Sequence, residues 1–507
     1  MSTSTVYFLL PEIVVIAAAV LIYIAGAFLR TQKAWSLIAL VGIILSMVCL
    51  CRQQSTANCG VLLNDGFTLY IRWLTLVLGL LLVLLNFRPL INGGTPEAIG
   101  SLLLVIAGGM LVVSANDLIL LFVALELISI PTYILLYLGP GDVGCQESAA
   151  KYFFLSVLSS AILLYGFSFI YGVTGTMNLD GIRTAFSSLQ DMPKGYDNLA
   201  KLALLLTFAG LSFRLTAVPF HFYAPDVYQG TTNSNAALLS VIPKAAGLAV
   251  LVRLVWAAMP GVGLFAWQIT MVVAILTMTL GNTMALWQKN IRRMMAYSSI
   301  AHAGYLLIGL AVALAAGNGP PSSWNGIAAM LFYLCVYAAA TLGTFAMLEY
   351  LGHPARRVED IDELAGLSRT RPVSAAMIAV FMFSLTGIPP LAGFWGKLQI
   401  FGSALNVDAG AGGNLRIWFA ILAIIGVLNA AISAGYYLRI VGVMYFSPPA
   451  AMARAEGGSG ALPTAGLCTL LIIILSLYPR PLLKASNQAL PETPQTPKIE
   501  KTFDLHY

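Results

Sequence analysis

The sequence predicts an all-α polytopic membrane protein of about fourteen transmembrane helices, and three observations predict it. Apolar residues fill 59% of the 507 positions and charged ones only 9%, with a mean hydropathy of +0.85. A water-solvated fold carries roughly 25% charged residues, so that class is excluded. Apolar runs follow one another along the whole chain, each near the length of about 20 residues that a bilayer crossing needs. Several runs contain a charge beside Pro or Gly, which points to transport sites instead of plain anchors. The runs are continuous, without the alternation of an outer-membrane barrel.

The first run, 7–29, holds Pro11 and Glu12, and no Lys or Arg precedes it. It is expected to stay as a membrane helix instead of being cleaved as a signal peptide. Runs at 35–51, 67–87, 99–115, 117–138, 149–172, 200–220 and 231–258 come next. The remainder lie at 263–284, 298–316, 324–351, 373–405, 415–444 and 462–479. The polar breaks are short, apart from 174–199, 352–371 and the tail after Tyr478. That tail carries Pro491, Pro494, Pro497, Lys498 and Lys501 and is expected to lack a fixed fold.

A net charge of +6 says little about nucleic acid in such a chain; the placement of Lys and Arg in loops sets its orientation. Alternating loops put Arg30, Lys33, Arg88, Lys289, Arg292, Arg293, Arg356, Arg357, Arg369, Arg371 and Arg454 on one side. Arg52, Arg183, Lys194, Lys201 and Arg416 fall on the other before the tail. The first side is therefore expected to be cytoplasmic, with both termini outside. Six cysteines (Cys49, Cys51, Cys59, Cys145, Cys335, Cys468) show no CxxC and no Cys/His cluster, which argues against an iron–sulfur or zinc site.

The informative residues are ionisable groups inside apolar runs, each costing roughly 2.5–3.5 kcal/mol on insertion scales. Glu126 sits in the middle of LLFVALELISIPTYILL, and such a carboxylate needs a cation or a proton. Arg214 lies in FAGLSFRLTAVPFHF, Lys244 in LLSVIPKAAGLAV and Lys397 in TGIPPLAGFWGKLQIF, accompanied by His221 and His302. Lys151 opens ESAAKYFFLSVL, where it serves either the buried set or the interface by snorkelling. Arg72 and Arg439 lie nearer span ends or pair locally, and of the two roles anchoring is the expected one.

Three runs are expected to break beside their charge. Pro219 and Pro225 follow Arg214, Pro243 precedes Lys244, and Gly387, Pro389, Pro390, Gly393 and Gly396 precede Lys397. Proline deletes a backbone donor and clashes with the preceding turn, and unwound backbone at membrane depth survives only against protein or a wet cavity. Arg214 precedes its proline whereas Lys397 follows Pro390, the order expected of two units in opposite orientation.

Acids, lysines and histidines on several helices suit proton hopping. Desolvation disfavours a charged lysine and a nearby carboxylate favours it, so moving such a pair switches proton holding to release. The two histidines are compatible with haem ligation, proton relay or polar packing. The sequence has no GxxxxGK[ST] loop and no metal-ligand cluster, so the driving energy has to come from a partner or another ion gradient. Each proton moved against 100 mV requires about 2.3 kcal/mol.

The stretches SANDLILLFVALELISIPTYILL, AAKYFFLSVLSSAILLYG, GLSFRLTAVPFHFYAPDVYQG, RRMMAYSSIAHAGYLLIG and TGIPPLAGFWGKLQIF, with the Lys244 segment, resemble the N subunits of bacterial respiratory NADH–quinone oxidoreductase, complex I. The resemblance runs from about residue 7 to 480. It implies fourteen transmembrane helices, with N-terminal helices in 1–97, inverted five-helix repeats in 98–258 and 259–445, and a last helix and polar tail in 446–507. Helices 7 and 12 would be discontinuous. It implies one antiporter-like proton channel driven by quinone reduction elsewhere in the complex. Glu126 then matches the helix-5 glutamate, Lys151 the helix-6 lysine, Lys244 the helix-8 lysine and Lys397 the helix-12 lysine. His221 and His302 match polar positions of the same axis.

Lys397 and PDVYQG favour the N type over the L- and M-type relatives and the cation/proton antiporters. Arg214 departs from the pattern, because the family normally has lysine there. The resemblance implies no cofactor on this chain, with NADH, FMN, iron–sulfur clusters and quinone on other subunits. It also implies M-type and K-type membrane neighbours and a place in the bacterial inner membrane. The alternative reading is a membrane subunit of a multisubunit cation/proton antiporter or membrane-bound hydrogenase. An inert scaffold is the third, and uncompensated charges in hydrocarbon argue against it.

Overall fold

Backbone in hydrocarbon has to satisfy its own N–H and C=O groups, and a helix does so within one segment. The computed structural model describes residues 3–29, 34–87, 94–139, 142–189, 195–316, 325–352, 357–407, 415–449 and 457–491. Arg30, Lys33, Arg88, Lys194, Arg356 and Arg454, and the tail residues Pro494, Pro497, Lys498 and Lys501, lie outside them. Helices α1 (Thr3–Phe28), α2 (Ala34–Cys51), α3 (Gly66–Leu85), α4 (Thr95–Ser114), α5 (Leu118–Tyr137) and α6 (Val143–Thr174) come first. A short α7 (Leu179–Ser187) precedes α8 (Tyr196–Leu215), α9 (Ala224–Gly230) and α10 (Asn233–Val250). Next come α11 (Gly263–Leu286), α12 (Ile291–Ala316), α13 (Gly326–Leu351) and the one-turn α14 (Leu367–Thr370). The chain continues through α15 (Pro372–Thr386), α16 (Ala392–Leu405), α17 (Leu415–Phe446), α18 (Ala461–Leu477) and α19 (Arg480–Gln488).

Among the described residues twelve helices are long and apolar enough to cross a membrane, or thirteen if α18 and α19, bent by 88°, form one span. Short polar residues start many of them by accepting the free N–H groups of the first turn. Asp117 accepts from Ile119, Asp142 from Cys145, Thr232 from Asn235 and Asn325 from Ile327.

The helical class stands with one small addition: an antiparallel hairpin of β1 (Thr56–Cys59) and β2 (Leu62–Asn64) joins α2 to α3. It turns at Gly60, whose φ of +64° lies in the left-handed region that favours glycine. The tail after Tyr478 is ordered at first, because α19 packs on α3 and α13 and Ser486 bonds Tyr70 at 3.1 Å. Pro243 does not break its span: α10 runs through it and loosens only at a π-helical stretch over Leu251–Ala258.

Arg72 is no interfacial anchor. It is 1% exposed and pairs with Glu12 at 2.6 Å, while donating to Gln53 Oε1 and the Phe8 carbonyl. Nearby, Asp65 caps α3 and pairs with Arg253 at 2.5 Å. Burial pushes the Asp65 carboxyl up, but the Arg253 charge beside it prevails and holds it at about 2. Removing one member of a buried pair costs about 3–5 kcal/mol, whereas replacing both by apolar groups is often neutral. Arg72→Ala is therefore expected to lower the amount of chain in membranes, and adding Glu12→Leu to restore much of it. Immunoblots of membrane fractions check this, and an undiminished single variant would show the pair to be dispensable.

The most enclosed helices are α10, which carries Lys244, α12, which carries His302, and α13 between them and the rest of the bundle. The apolar window of Asn233–Ala258 is 100% buried, that of α13 94% and that of α12 89%, against 33% for α1 and α17. Close helix contacts need small residues. A Cβ on Gly210 would lie 2.9 Å from the Leu163 backbone nitrogen, and one on Gly166 would lie 2.8 Å from that of Thr207. These contacts draw α6 against α8 and so set Ser160 and Arg214 on either side of Glu126.

Candidate functional site

Arg214 occupies the last turn of α8, where the negative end of the helix dipole favours a cation. Its Nη2 pairs with Glu126 Oε1 at 3.2 Å, and its Nη1 donates to Ser129 Oγ at 2.8 Å and the Leu125 carbonyl at 3.2 Å. Ser160 Oγ donates to the same Glu126 oxygen at 2.6 Å. Beyond Leu215 the chain unwinds before α9, as the prolines predicted. Protein groups satisfy the freed backbone: Val218 N–H donates to Thr277 Oγ1, and Tyr223 hydroxyl to the Phe213 carbonyl. Thr216 turns the chain with φ +57°, a conformation rare outside glycine.

Lys244 projects from α10 into a fully buried site. Its Nζ donates to the Ser299 carbonyl and, at 2.5 Å, to Ser299 Oγ, and stands 5.4 Å from the Tyr337 ring centre. Among the described residues neither Lys244 nor Lys397 forms an ion pair, so dipoles and an aromatic face alone surround each ammonium. Lys397 lies on α16, just past the Gly387–Leu391 break, and donates back to Leu385 O at 3.0 Å and Thr386 O at 2.8 Å. Those carbonyls end α15, so the cation again meets the negative end of a half-helix. Gly387 closes α15 with φ +88°, where a side chain would be strained, and a Cβ there would sit 2.9 Å from Lys397 Cδ.

His302 stands between the two lysines. One ring nitrogen bonds Tyr333 hydroxyl at 2.6 Å and the other Tyr437 hydroxyl at 2.9 Å. Tyr437 in turn bonds Ser298, and Tyr337 bonds Ser299 at 2.8 Å while its ring packs 4.9 Å from the His302 ring. Both imidazole nitrogens are therefore engaged by phenols, an arrangement that suits a relay and leaves neither free for haem in this conformation. Ser299, Tyr333, Tyr337 and Tyr437 were missed from sequence. The four-residue spacing of Tyr333 and Tyr337, one helix face, was the available signal.

Lys151 and His221 lie apart from this group. Lys151 is 39% exposed at its side chain and bonds Glu147 at 2.6 Å and Asp226 at 2.7 Å in an open polar cleft. His221 is half-buried in the segment between α8 and α9, and its Nδ1 finds no partner among the described residues. Arg439, near the end of α17, bonds the Gln288 carbonyl after α11, as a terminal tie. No group of three potential metal ligands occurs among the described residues.

Buried cations at two helix breaks, with a lysine and a phenol-bound histidine between them, define an antiporter-like polytopic membrane protein. Residues 115–433 match the family described as NADH:quinone oxidoreductase/Mrp antiporter, transmembrane. The NADH-quinone oxidoreductase subunit N of Paramagnetospirillum magneticum is 35% identical over 95% of this chain and 96% of its own. A chain of respiratory complex I from Thermus thermophilus superposes with a TM-score of 0.77 at 30% identity, covering 94% of this chain and 99% of that one. A chain of the Mrp complex from Dietzia sp. shares the fold, with a TM-score of 0.77, at 20% identity over 97% of each chain. The chain belongs to the NADH-quinone oxidoreductase subunit N family.

Proposed function

We propose that this chain is a proton-translocating subunit in the membrane arm of an NADH:quinone oxidoreductase. The observation that carries the reading is the polar line Glu126–Arg214, Lys244–Ser299–Tyr337, His302 and Lys397 at membrane depth, its middle members on the most enclosed helices. Charges at that depth are expensive unless they do work. Quinone reduction elsewhere in the complex moves charge towards Glu126 and loosens or tightens its pair with Arg214. Arginine does not give up its proton, so the pair acts as a charge switch and Lys244 is the first cation on the line able to exchange. Its proton passes by Ser299 and Tyr337 towards His302, whose two ring nitrogens take and release it through the Tyr333 and Tyr437 hydroxyls. Lys397 then discharges towards the far side. Lys151 and His221 serve the approach to this line. The redox chemistry of NADH, FMN, iron–sulfur clusters and quinone belongs to other subunits.

Taking α15 with α16 as one broken crossing and α18 as another gives fourteen crossings. Segments 98–258 and 259–445 are then two repeats of opposite orientation, flanked by 1–97 and 446–507. In each, the fourth crossing is broken beside a cation, at α8–α9 and α15–α16. The side bearing Lys289, Arg292, Arg293, Arg357, Arg369 and Arg371 is cytoplasmic, the termini face the periplasm, and the membrane is the bacterial inner membrane. M-type and K-type subunits are the expected neighbours.

Purification in mild detergent tests the assignment. The chain should co-purify with NADH–quinone reductase activity, and vesicles should acidify only while NADH is oxidised. Sodium-dependent pH gradients in vesicles without NADH would instead support a free-standing cation/proton antiporter.

A further inference from the structure

On the basic side of the bundle, the start of α6, α9 and the start of α12 enclose a polar cleft of about 580 Å³. Its acids and cations balance. Asp226, at its wall, accepts from Lys151 at 2.7 Å and from Arg293 at 2.5 Å. Ser148 lines the same cleft. From there α6 presents Ser148, Tyr152, Ser156 and Ser160 at four-residue steps, hence on one face, and all four are buried.

We propose that protons reach Glu126 from this cleft along the buried hydroxyls of Ser156, Tyr133 and Ser160. The inference rests on the proton-translocating reading above and adds its uptake route. Serines in membrane helices usually satisfy themselves on the carbonyl four residues back, as Ser129 does on Leu125 O and Ser148 on Gly144 O. Ser156 and Ser160 bond outwards instead. Tyr133 hydroxyl of α5 donates to Ser156 Oγ at 2.9 Å, and Ser160 Oγ donates to Glu126 Oε1 at 2.6 Å. Ser129, one turn before Tyr133 on α5, receives Arg214 at 2.8 Å. These two bonds stand one turn apart, about 6 Å along α6 and the span of one water, and the second ends on the carboxylate of the switch. Along α6 the rise from Lys151 to Ser156 is about 7.5 Å, a gap for one or two waters.

In the relay each oxygen takes a proton as it gives up its own, so no hydroxyl keeps a charge. Ser160 is already aimed at Glu126 and delivers to it directly. Tyr133 donates towards the cleft, the polarity left after an inward passage, and rotation of its hydroxyl with that of Ser156 resets it. The more exposed Glu147 carboxylate draws protons to the mouth, while Lys151 and Arg293 hold Asp226 ionised as a fixed charge of its wall.

The test uses the intact complex in membrane vesicles, with protons pumped per NADH oxidised as the readout. Ser156→Ala, Ser160→Ala and Tyr133→Phe should each lower that ratio several-fold, while exposed Ser168→Ala leaves it unchanged. Ser156→Thr, which restores the hydroxyl, should recover it, a rescue that a purely packing role would not give. A native gel confirms assembly of each variant. Full pumping in assembled Ser160→Ala and Tyr133→Phe complexes would overturn the route. If Lys244→Ala still abolished pumping in that case, the proton-translocating assignment would survive and only this uptake path would fall.

Discussion

Lys244→Ala is expected to abolish proton pumping coupled to NADH oxidation while the complex still assembles. The side chain is fully buried on the most enclosed helix and its partners are Ser299 and the Tyr337 ring, with no carboxylate paired to it among the described residues. Truncation leaves Ser299 still bonded to Tyr337, so the scaffold loses little, but the group that joins Glu126 to His302 on the proposed line is gone. Lys244→Arg separates charge from proton release, because arginine keeps its proton; it should assemble and also fail to pump. Vesicle acidification measured against NADH consumption decides both. A normal proton-to-electron ratio in Lys244→Ala would reject the role.

Arg214→Ala should lower activity several-fold, and Arg214→Lys should retain it. Arg214 is 4% exposed and makes contacts to Glu126, Ser129 and the Leu125 carbonyl. Alanine leaves the half-buried Glu126 carboxylate without its cation, the costly way to break such a pair. Lysine restores the charge at the end of α8 with three donors on one atom, enough for Glu126 and Ser129. NADH–quinone reductase activity and pumping in the same membranes give the comparison. Full activity in Arg214→Ala would show that the pair with Glu126 is dispensable.

Much of the fold was legible because hydropathy is a local property. The runs 67–87, 117–138 and 324–351 became α3, α5 and α13 within a few residues, since any stretch that apolar has to close its own hydrogen bonds in lipid. The breaks after Arg214 and before Lys397 were legible too, as clusters of Pro and Gly leave no other backbone. Pro243 was misread by the same rule: a single proline removes one bond, and enclosure of α10 by its neighbours holds the helix through it.

The sequence by itself determined which ions lie at membrane depth: Glu126, Arg214, Lys244 and Lys397 lie in runs too apolar to be anything but spans. Only the tertiary structure decided their company. It paired Arg72 with Glu12, left Lys151 in a surface cleft with Asp226, and closed Tyr333 and Tyr437 on His302. Composition and spacing fix where a helix lies along the chain and which residues share its face. The rotation and approach of one helix against another depend on close contacts such as Gly166 with Thr207, made between segments far apart in sequence.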